Sequence, residues 1–416
     1  MSTSPPLPDS PPPAAPGRAA FAFIFITVCL DMLALGVVVP VLPRLVVEFE
    51  GGDMARAASV TGIFGFVWAA MQFVFSPLLG TLSDRVGRRP VVLASNLGLG
   101  LDYLLMALAP SLRWLFVGRV ISGITAATFA TAGAYIADVT PPERRAAQFG
   151  KLGAAFGLGF IVGPALGGVL GNIGLRIPFW VAAGLSLANA AYGFLILPES
   201  LPRQRRAPRL QWRAANPVGA LGMLVSRRTL AGLAAATFFY YLAHESLPAL
   251  WVLYTTYRYH WNERLTGLAL AAVGLGSTVV SAGLVGPVVK RLGDRGGLAL
   301  GLLFGALGFC VYGISTTTTA FFLGIPLTAL FGMAGPTMQS LMSRDVDPTR
   351  QGQLQGALSS LRGITGMVGP LVFTQVFALA IGAGARARLP GAPYLLAGAL
   401  TALSMLVALA VTRVPR

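Results

Sequence analysis

The stretch Gly80-Thr-Leu-Ser-Asp-Arg-Val-Gly-Arg-Arg-Pro90 decides how the rest of the chain reads. It is short and highly charged, and long apolar runs flank it on both sides. A charged turn between two such runs has to sit in water at the face of a membrane, because charge is costly in hydrocarbon. Gly80 lets the preceding helix pack closely and stop, and Asp84 is placed to accept hydrogen bonds from a neighbouring helix N-terminus. Arg85, Arg88 and Arg89 hold this end on the cytoplasmic side.

Composition agrees with that reading. The 416 residues are 55% hydrophobic and 11% charged, with mean hydropathy +0.71, whereas soluble domains carry about a quarter charged residues. The chain therefore reads as a membrane protein. Its 29 prolines and 51 glycines fit helices that pack closely and are sometimes broken. The net charge of +16 does not call for nucleic acid, because the arginines fall in short loops between apolar runs. Inside-positive topology and anionic headgroups account for them there. Cys29 and Cys310 lie within apolar runs, and His244 and His260 are the only histidines. Neither a disulfide framework nor a thiolate or histidine-rich metal site is expected. The chain has no phosphate-cradling G-x-x-x-x-G-K-[ST] loop, no G-x-S-x-G elbow and no sizeable soluble domain. It is thus expected to be neither an ATP-driven pump nor an enzyme.

Residues 1–19 are rich in proline and small residues and are expected to form a disordered cytoplasmic tail. They are not read as a signal peptide, since the apolar run that follows is too long for one and lacks a cleavage site. From Phe21 onward, twelve apolar segments reach the roughly 20 residues that a helix needs to cross hydrocarbon. They are 20–43, 59–79, 90–109, 113–137, 147–171, 176–197, 230–254, 264–289, 296–315, 318–340, 352–380 and 392–412. The expected fold is all-α, with twelve transmembrane helices in two pseudo-symmetric six-helix bundles over 20–197 and 230–412. An Arg-rich, Pro-interrupted cytoplasmic linker, 198–229, joins them. Basic residues gather in the even-numbered turns, as at Arg144, Arg145, Lys290, Arg291, Arg344 and Arg350, while the odd-numbered turns carry scattered ones such as Arg44, Arg113 and Arg176. Both termini are therefore expected in the cytoplasm.

The halves repeat each other. Gly286-Pro-Val-Val-Lys-Arg-Leu-Gly-Asp-Arg295 repeats the Gly80 stretch 206 residues on, and Gly369-Pro370 repeats Gly163-Pro164 at that same spacing. Asp345-Val-Asp-Pro348 echoes Asp138-Val-Thr-Pro141 one residue out of step. Two landmarks with one spacing argue for duplication, which gives parallel halves able to rock about a substrate at the midplane.

Written G-x-x-x-D-R-x-G-R-R-P, the opening stretch resembles the loop between the second and third helices that marks the major facilitator superfamily of secondary transporters. Gly80, Asp84, Arg85, Gly87, Arg88 and Arg89 supply its glycine and charged positions. The fifth-helix run Gly150-x8-Gly159-x3-Gly163-Pro164-x2-Gly167-Gly168 clears a smooth face along which another helix can slide. It is also similar to the motif that separates antiporters of that superfamily from uniporters and symporters. Leu101-Asp-Tyr-Leu-Leu105, Gly118-Arg-Val-Ile-Ser-Gly-Ile-Thr125, Ile136-Ala-Asp138, Trp251-Val-Leu-Tyr254 and Gly352-Gln-Leu-Gln-Gly356 together resemble the tetracycline-efflux branch of the twelve-helix drug:proton antiporters. The resemblance implies a monomer in the cytoplasmic membrane that exchanges incoming protons for an outgoing drug. No cofactor is implied beyond the proton gradient. In that branch the drug is a tetracycline carried as its Mg²⁺ chelate, so the implied partners are a small molecule and the lipid bilayer, without nucleic acid.

An ionisable side chain inside hydrocarbon costs about 2.5–3.5 kcal/mol on insertion scales, which makes each one a functional candidate. Asp31 matches the family's acidic position in the first helix, where a carboxylate can load a proton on one side and release it on the other. Bracing of neighbouring helices is the alternative. Arg119, in the fourth helix, matches a basic position that tunes a proton site, and Asp102, in the third, is its candidate partner because cancelling both charges lowers the insertion cost. The second half departs from the branch. The acid expected in the ninth helix is missing from the apolar run Leu302-Leu-Phe-Gly-Ala-Leu-Gly308, and the family's eighth-helix histidine is replaced at Ser277. Glu245 in the seventh helix is the candidate substitute, tuned by His244 or by Arg362 of the eleventh. Candidate drug contacts are the polar Gln72, Thr125 and Gln339, the stacking surfaces Phe64, Phe129, Phe239 and Tyr240, and His244 and Arg362. Asp84, Arg85 and Arg88 are expected to latch the outward-facing state from the cytoplasmic side, with Asp138, Gly159, Gly163 and Pro164 also serving the gate. Export of an endogenous metabolite or sugar is the alternative, and a non-transporting receptor lies outside transport altogether.

Overall fold

The structure is a computed structural model that describes residues 18–126, 128–208, 219–347, 350–382 and 388–412. The tail expected over 1–17 and the middle of the linker, 209–218, lie outside the described residues. Every element among those described is helical. Seven spans are unbroken: the first, Arg18–Val38; second, Met54–Val86; third, Arg88–Leu108; fifth, Pro142–Ile173; sixth, Ile177–Ile196; eleventh, Gln351–Ile381; and twelfth, Ala392–Val411. The fourth is split into Leu112–Thr125 and Thr128–Val139, the seventh into Arg228–His244 and Ser246–Tyr259, and the tenth into Thr318–Phe322, Gly324–Phe331 and Ala334–Arg344. The eighth, Glu263–Val279, passes through a π turn at Val280–Leu284 and runs to 292, and the ninth occupies 294–314. Nine helical stretches among the described residues are long and apolar enough to cross a membrane. The split fourth and seventh helices and the division of Glu263–Ile314 at Gly293 are consistent with twelve.

Proline explains most of the breaks. It lacks an amide hydrogen, and its ring crowds the carbonyl four residues earlier. Pro248, Pro326 and Pro336 place that strain at His244, Phe322 and Gly332, and the helices break at Glu245, Leu323 and Gly332–Met333. The π turn ends three residues before Pro287. A break at Glu245 matters because it sets that carboxylate at a helix interruption, where irregular backbone in a membrane is tolerated only against protein or water.

The opening stretch is more helical than expected. The second span continues through Gly80 to Val86, and an added Cβ on Gly80 would meet nothing within 4 Å. Gly80 is therefore not the closely packed stop. That role belongs to Gly87, whose backbone (φ 113, ψ 159) lies in a region only glycine occupies easily, and whose missing Cβ leaves room for the Glu199 carboxylate. Gly293 (φ 69) does the same 206 residues later, while Gly286, like Gly80, stands in open space. The repeat extends to an ion pair with its charges exchanged. Arg88 bonds Asp138 at 3.0 Å in the first half, and Asp294 pairs with Arg344, each member 206 residues on. Gly87→Ala should cost about 1–3 kcal/mol in strain alone and more by displacing Glu199, lowering the melting temperature in detergent. Gly80→Ala should leave it unchanged, and equal melts would refute this account of the stop.

Each half has its own core. In the first, Leu45, Phe64, Leu99, Tyr103, Met106, Leu115 and Phe179 pack together. In the second, aromatic rings dominate, with Tyr254 on Tyr394 at 4.9 Å and Trp251 on Phe321 at 5.1 Å. The outer surface exposes Leu101, Leu108, Trp114, Phe194, Leu195, Leu379 and Leu406, as contact with lipid requires. The halves meet along two seams, second span on eleventh and fifth on eighth. Gly62 and Gly65 pack on Thr374 and Pro370, Gly363 on Phe73, Gly168 on Gly267 and the Glu263 carbonyl, and Gly274 on Ile161. Ala58, Val39, Val47 and Met54 of the first half join the second half's core at this same end. Towards the end that carries the Gly80 stretch, Gly80, Gly150, Gly153, Gly283, Gly286 and Gly352 have nothing within 4 Å of an added Cβ. The molecule is closed at the end remote from Gly80 and splayed at the other.

Candidate functional site

In the first half, Asp31 is 6% exposed, and no cation among the described residues lies within ion-pair distance of it. Tyr103, next to Asp102 in the third span, is buried with both acids. Asp102 is fully buried and faces Arg119 at 3.7 Å, and Arg119 also donates to the Met106 sulfur at 3.4 Å. Gly118 permits this, since a Cβ there would stand 2.7 Å from the Asp102 carboxylate. Asp102 and Arg119 thus cancel within one half, whereas Asp31 has no charge to cancel it. A carboxylate buried without a partner is costly to keep ionised.

In the second half, the Glu245 side chain packs on the eleventh span. A Cβ on Gly369 would stand 2.7 Å from its Cγ, and one on Gly366 would be 4.0 Å from its carboxylate. Arg362, one turn earlier on that span, holds its guanidinium 5.3 Å over the Tyr241 ring and is exposed. An exposed arginine at this depth needs a watery space between the halves. The neighbouring Gly363 touches Phe73 of the first half, which places the pair at the seam. His244 is also exposed, stacked 6.3 Å from Phe331 and 6.5 Å from Tyr240. Tyr240 and Gln339 line a small pocket with Thr237, Tyr241, Gly335 and Met338. Its volume of about 10 Å³ is room for about one water, so in this state it holds no drug.

Two expected drug contacts turn elsewhere. Phe64 is 5% exposed in the first half's core, 6.1 Å from Phe116. Thr125 donates its hydroxyl to the Ile121 carbonyl at 2.9 Å and fills the space above Gly98 with its methyl group. Both are packing residues, as an aromatic ring at helical spacing and a threonine satisfied by its own helix usually are. Phe239 is half-buried and edge-on to Phe238 at 5.8 Å, and Gln72 is half-buried beside Phe73. The side chain of Phe129 lies outside the described residues. The acid-free run 302–308 is a packing face, with Gly305 on Phe331 and Gly308 on Thr328 of the tenth span.

At the splayed end, Arg88 ties the second and third spans to the fourth. It bonds Asp138 at 3.0 Å, Asp84 at 2.6 Å and the Ser83 hydroxyl at 2.6 Å. Arg89 donates to the Phe194 carbonyl, while Arg85 is exposed. Asp84 does not take the helix N-terminus expected of it. Glu199 does, accepting the Arg88 amide at 2.9 Å and the Leu201 amide at 3.0 Å while pairing with Arg206 at 3.4 Å. Ser200 donates to Asp138 at 3.1 Å, and the Ala207 amide reaches the Asp84 carbonyl at 2.9 Å. The start of the linker is therefore strapped onto Arg88, Asp84 and Asp138. In sequence that region reads as an Arg-rich, Pro-interrupted linker, and its one acid, Glu199, directly after an apolar run, was the signal to follow. Gly159, Gly163 and Gly167 lie against Met32, Gly36 and Val37 of the first span, and Pro164 meets Gly267 of the eighth.

A family model described as Major Facilitator Superfamily matches residues 24–370, with a second match over 233–416. The chain belongs to the Major Facilitator Superfamily. Within that superfamily it is 40% identical over 359 residues to the tetracycline resistance protein, class C, of Escherichia coli, covering 86% of this chain and 90% of that one. It is 38% identical over 374 residues to the class G protein of Vibrio anguillarum, covering 88% and 92%. Among solved structures, the nucleoside transporter NupG aligns with TM-score 0.71 at 13% identity over 95% of this chain and 100% of that one. The human organic anion transporter MFSD10 (TETRAN) aligns with TM-score 0.69 at 24% identity over 94% and 99%. At such identities these two show the fold.

Proposed function

We propose that this protein exports a tetracycline-like or other amphipathic drug across the cytoplasmic membrane in exchange for protons. The observation that carries the reading is the 40% identity, over nearly the whole of both chains, with a protein named for tetracycline resistance. With both termini cytoplasmic, as the arginine distribution argues, the splayed end faces the cytoplasm and the structure is inward-facing, ready to receive drug. Drug enters between the halves beside Glu245, Arg362 and His244, a tetracycline arriving as its Mg²⁺ chelate. Closure over the cargo expels it outside, and protons taken from outside by Asp31, with Glu245 as the second carrier, favour the return. Each ligand acts only through its differential affinity for the two states.

Everted vesicles with an imposed pH gradient test this. Adding tetracycline with Mg²⁺ should release protons and collapse part of the gradient. A gradient indifferent to tetracycline and to other amphipathic drugs, but lost on adding a sugar or metabolite, would replace the reading. Glu245→Gln should slow the drug-driven flux about tenfold, the scale of one lost charge-assisted contact. An undiminished rate would remove Glu245 from the scheme.

A further inference from the structure

The closed end of the molecule carries an ion pair that joins the halves. Arg44 sits on the short helix Leu42–Phe49, which is pinned to the first half by Leu45 and Val46, both fully buried. Its guanidinium reaches across to Glu263 at 3.0 Å and donates a further hydrogen bond to the Trp261 carbonyl. Both acceptors belong to the second half and are held rigidly. His260 turns the chain through a left-handed conformation (φ 55), and Trp261 is buried, donating from its indole to Thr318 at 2.9 Å and stacking on Phe322 at 5.2 Å. Asn262 caps the eighth span by accepting the Leu265 amide at 2.9 Å, and Glu263 is that span's first residue, where an acid is favoured. The pair's side chains are 21% and 12% exposed.

The opposite end is arranged differently. There Arg88 with Asp84 and Asp138, Arg206 with Glu199, and Arg344 with Asp294 each pair inside their own half. Opening the closed end must separate Arg44 from Glu263 and from the Trp261 carbonyl, while nothing in the other pairs has to break. An interaction made in one state alone shifts the balance towards that state by its whole strength. We infer that Arg44 and Glu263, with the Trp261 carbonyl, are the outer latch that holds this transporter inward-facing when it is empty.

The inference rests on alternating access but not on the identity of the drug, so its test needs no cargo. Nitroxide labels on Glu48→Cys and Thr316→Cys, with Cys29 and Cys310 replaced by alanine, report the width of the outer end by electron–electron distance measurement in lipid nanodiscs. Arg44→Gln should raise the wide population about three- to tenfold, as should Glu263→Gln. The double variant should widen no further than Arg44→Gln alone, because that change already removes the contact with Glu263 together with the one to the Trp261 carbonyl. Distances unchanged in both single variants, or shifts that add in the double, would overturn the latch. Should Arg44→Gln fail to fold, Glu263→Gln alone decides, since it keeps the shape of the side chain and its place in the helix.

Discussion

Asp31→Asn should reduce drug-triggered proton release in everted vesicles to the level of vesicles without the protein, and should leave the melting temperature unchanged. Asparagine keeps the shape of the side chain but can neither accept nor give up the proton. Because no cation faces Asp31 at ion-pair distance among the described residues, the substitution strands no charge. Asp102→Asn is the contrast. It removes the carboxylate opposite Arg119 at 3.7 Å and leaves a guanidinium that is 8% exposed without its counter-charge. Breaking a buried pair in this way costs about 3–5 kcal/mol, so this variant should melt early. The two acid-to-amide changes should separate, one losing coupling and keeping the fold, the other losing the fold first. Export that survives Asp31→Asn would remove the first-half proton carrier from the mechanism.

Gly168→Leu should abolish transport while the protein still folds. A Cβ at this position would run into the Glu263 carbonyl and stand 3.0 Å from the Gly267 Cα, both backbone groups that cannot turn aside. The larger leucine wedges the fifth and eighth spans apart at the closed end, so the inward-facing state loses its seal. Gly150→Leu, on the same helix, meets nothing within 4 Å and should export normally. Both changes gain the same helix propensity, about 1 kcal/mol, so a difference between them belongs to the seam. The labels at the outer rim should read a wider distance in Gly168→Leu than in Gly150→Leu, and equal distances with equal export would sink the seam argument.

The architecture was legible because it rests on lengths and periods. Apolar runs marked where spans occur, and the 206-residue spacing tied Gly163-Pro164 to Gly369-Pro370 and the Gly80 stretch to the Gly286 stretch. The stopping glycines were misplaced, at Gly80 instead of Gly87, because residue type shows that a glycine is present and not which one takes a positive φ. The helix breaks could have been read from Pro248, Pro326 and Pro336, whose effect falls four residues upstream. Which face of a span looks at the seam was not readable for Phe64 or Thr125. Helices apolar all round have no polar stripe to orient them, and both residues turned into the first half. The charged positions stood out by residue type. Arg362, Glu245 and Asp31 were singled out as ionisable groups inside apolar spans, Asp31 also by its match to the family's acidic position; Asp31 is buried, Glu245 leans on Gly366 and Gly369, and Arg362 lies over Tyr241.

Where Gly168 meets Gly267, the Cα of one is 3.0 Å from the Cβ the other would carry, and a Cβ on Gly267 would run into the Pro164 carbonyl, so the fifth and eighth spans touch there backbone to backbone. At that point the joint between the halves carries no side chains, whereas elsewhere along the seams Gly62, Gly65 and Gly363 rest on Thr374, Pro370 and Phe73. A mechanical bearing of this kind is indifferent to what is being carried. New cargoes can be accommodated by changing the lining around Glu245, His244 and Arg362 without refitting the parts that move, so a shift in drug spectrum should be reached by cavity substitutions and blocked by bulk at these glycines.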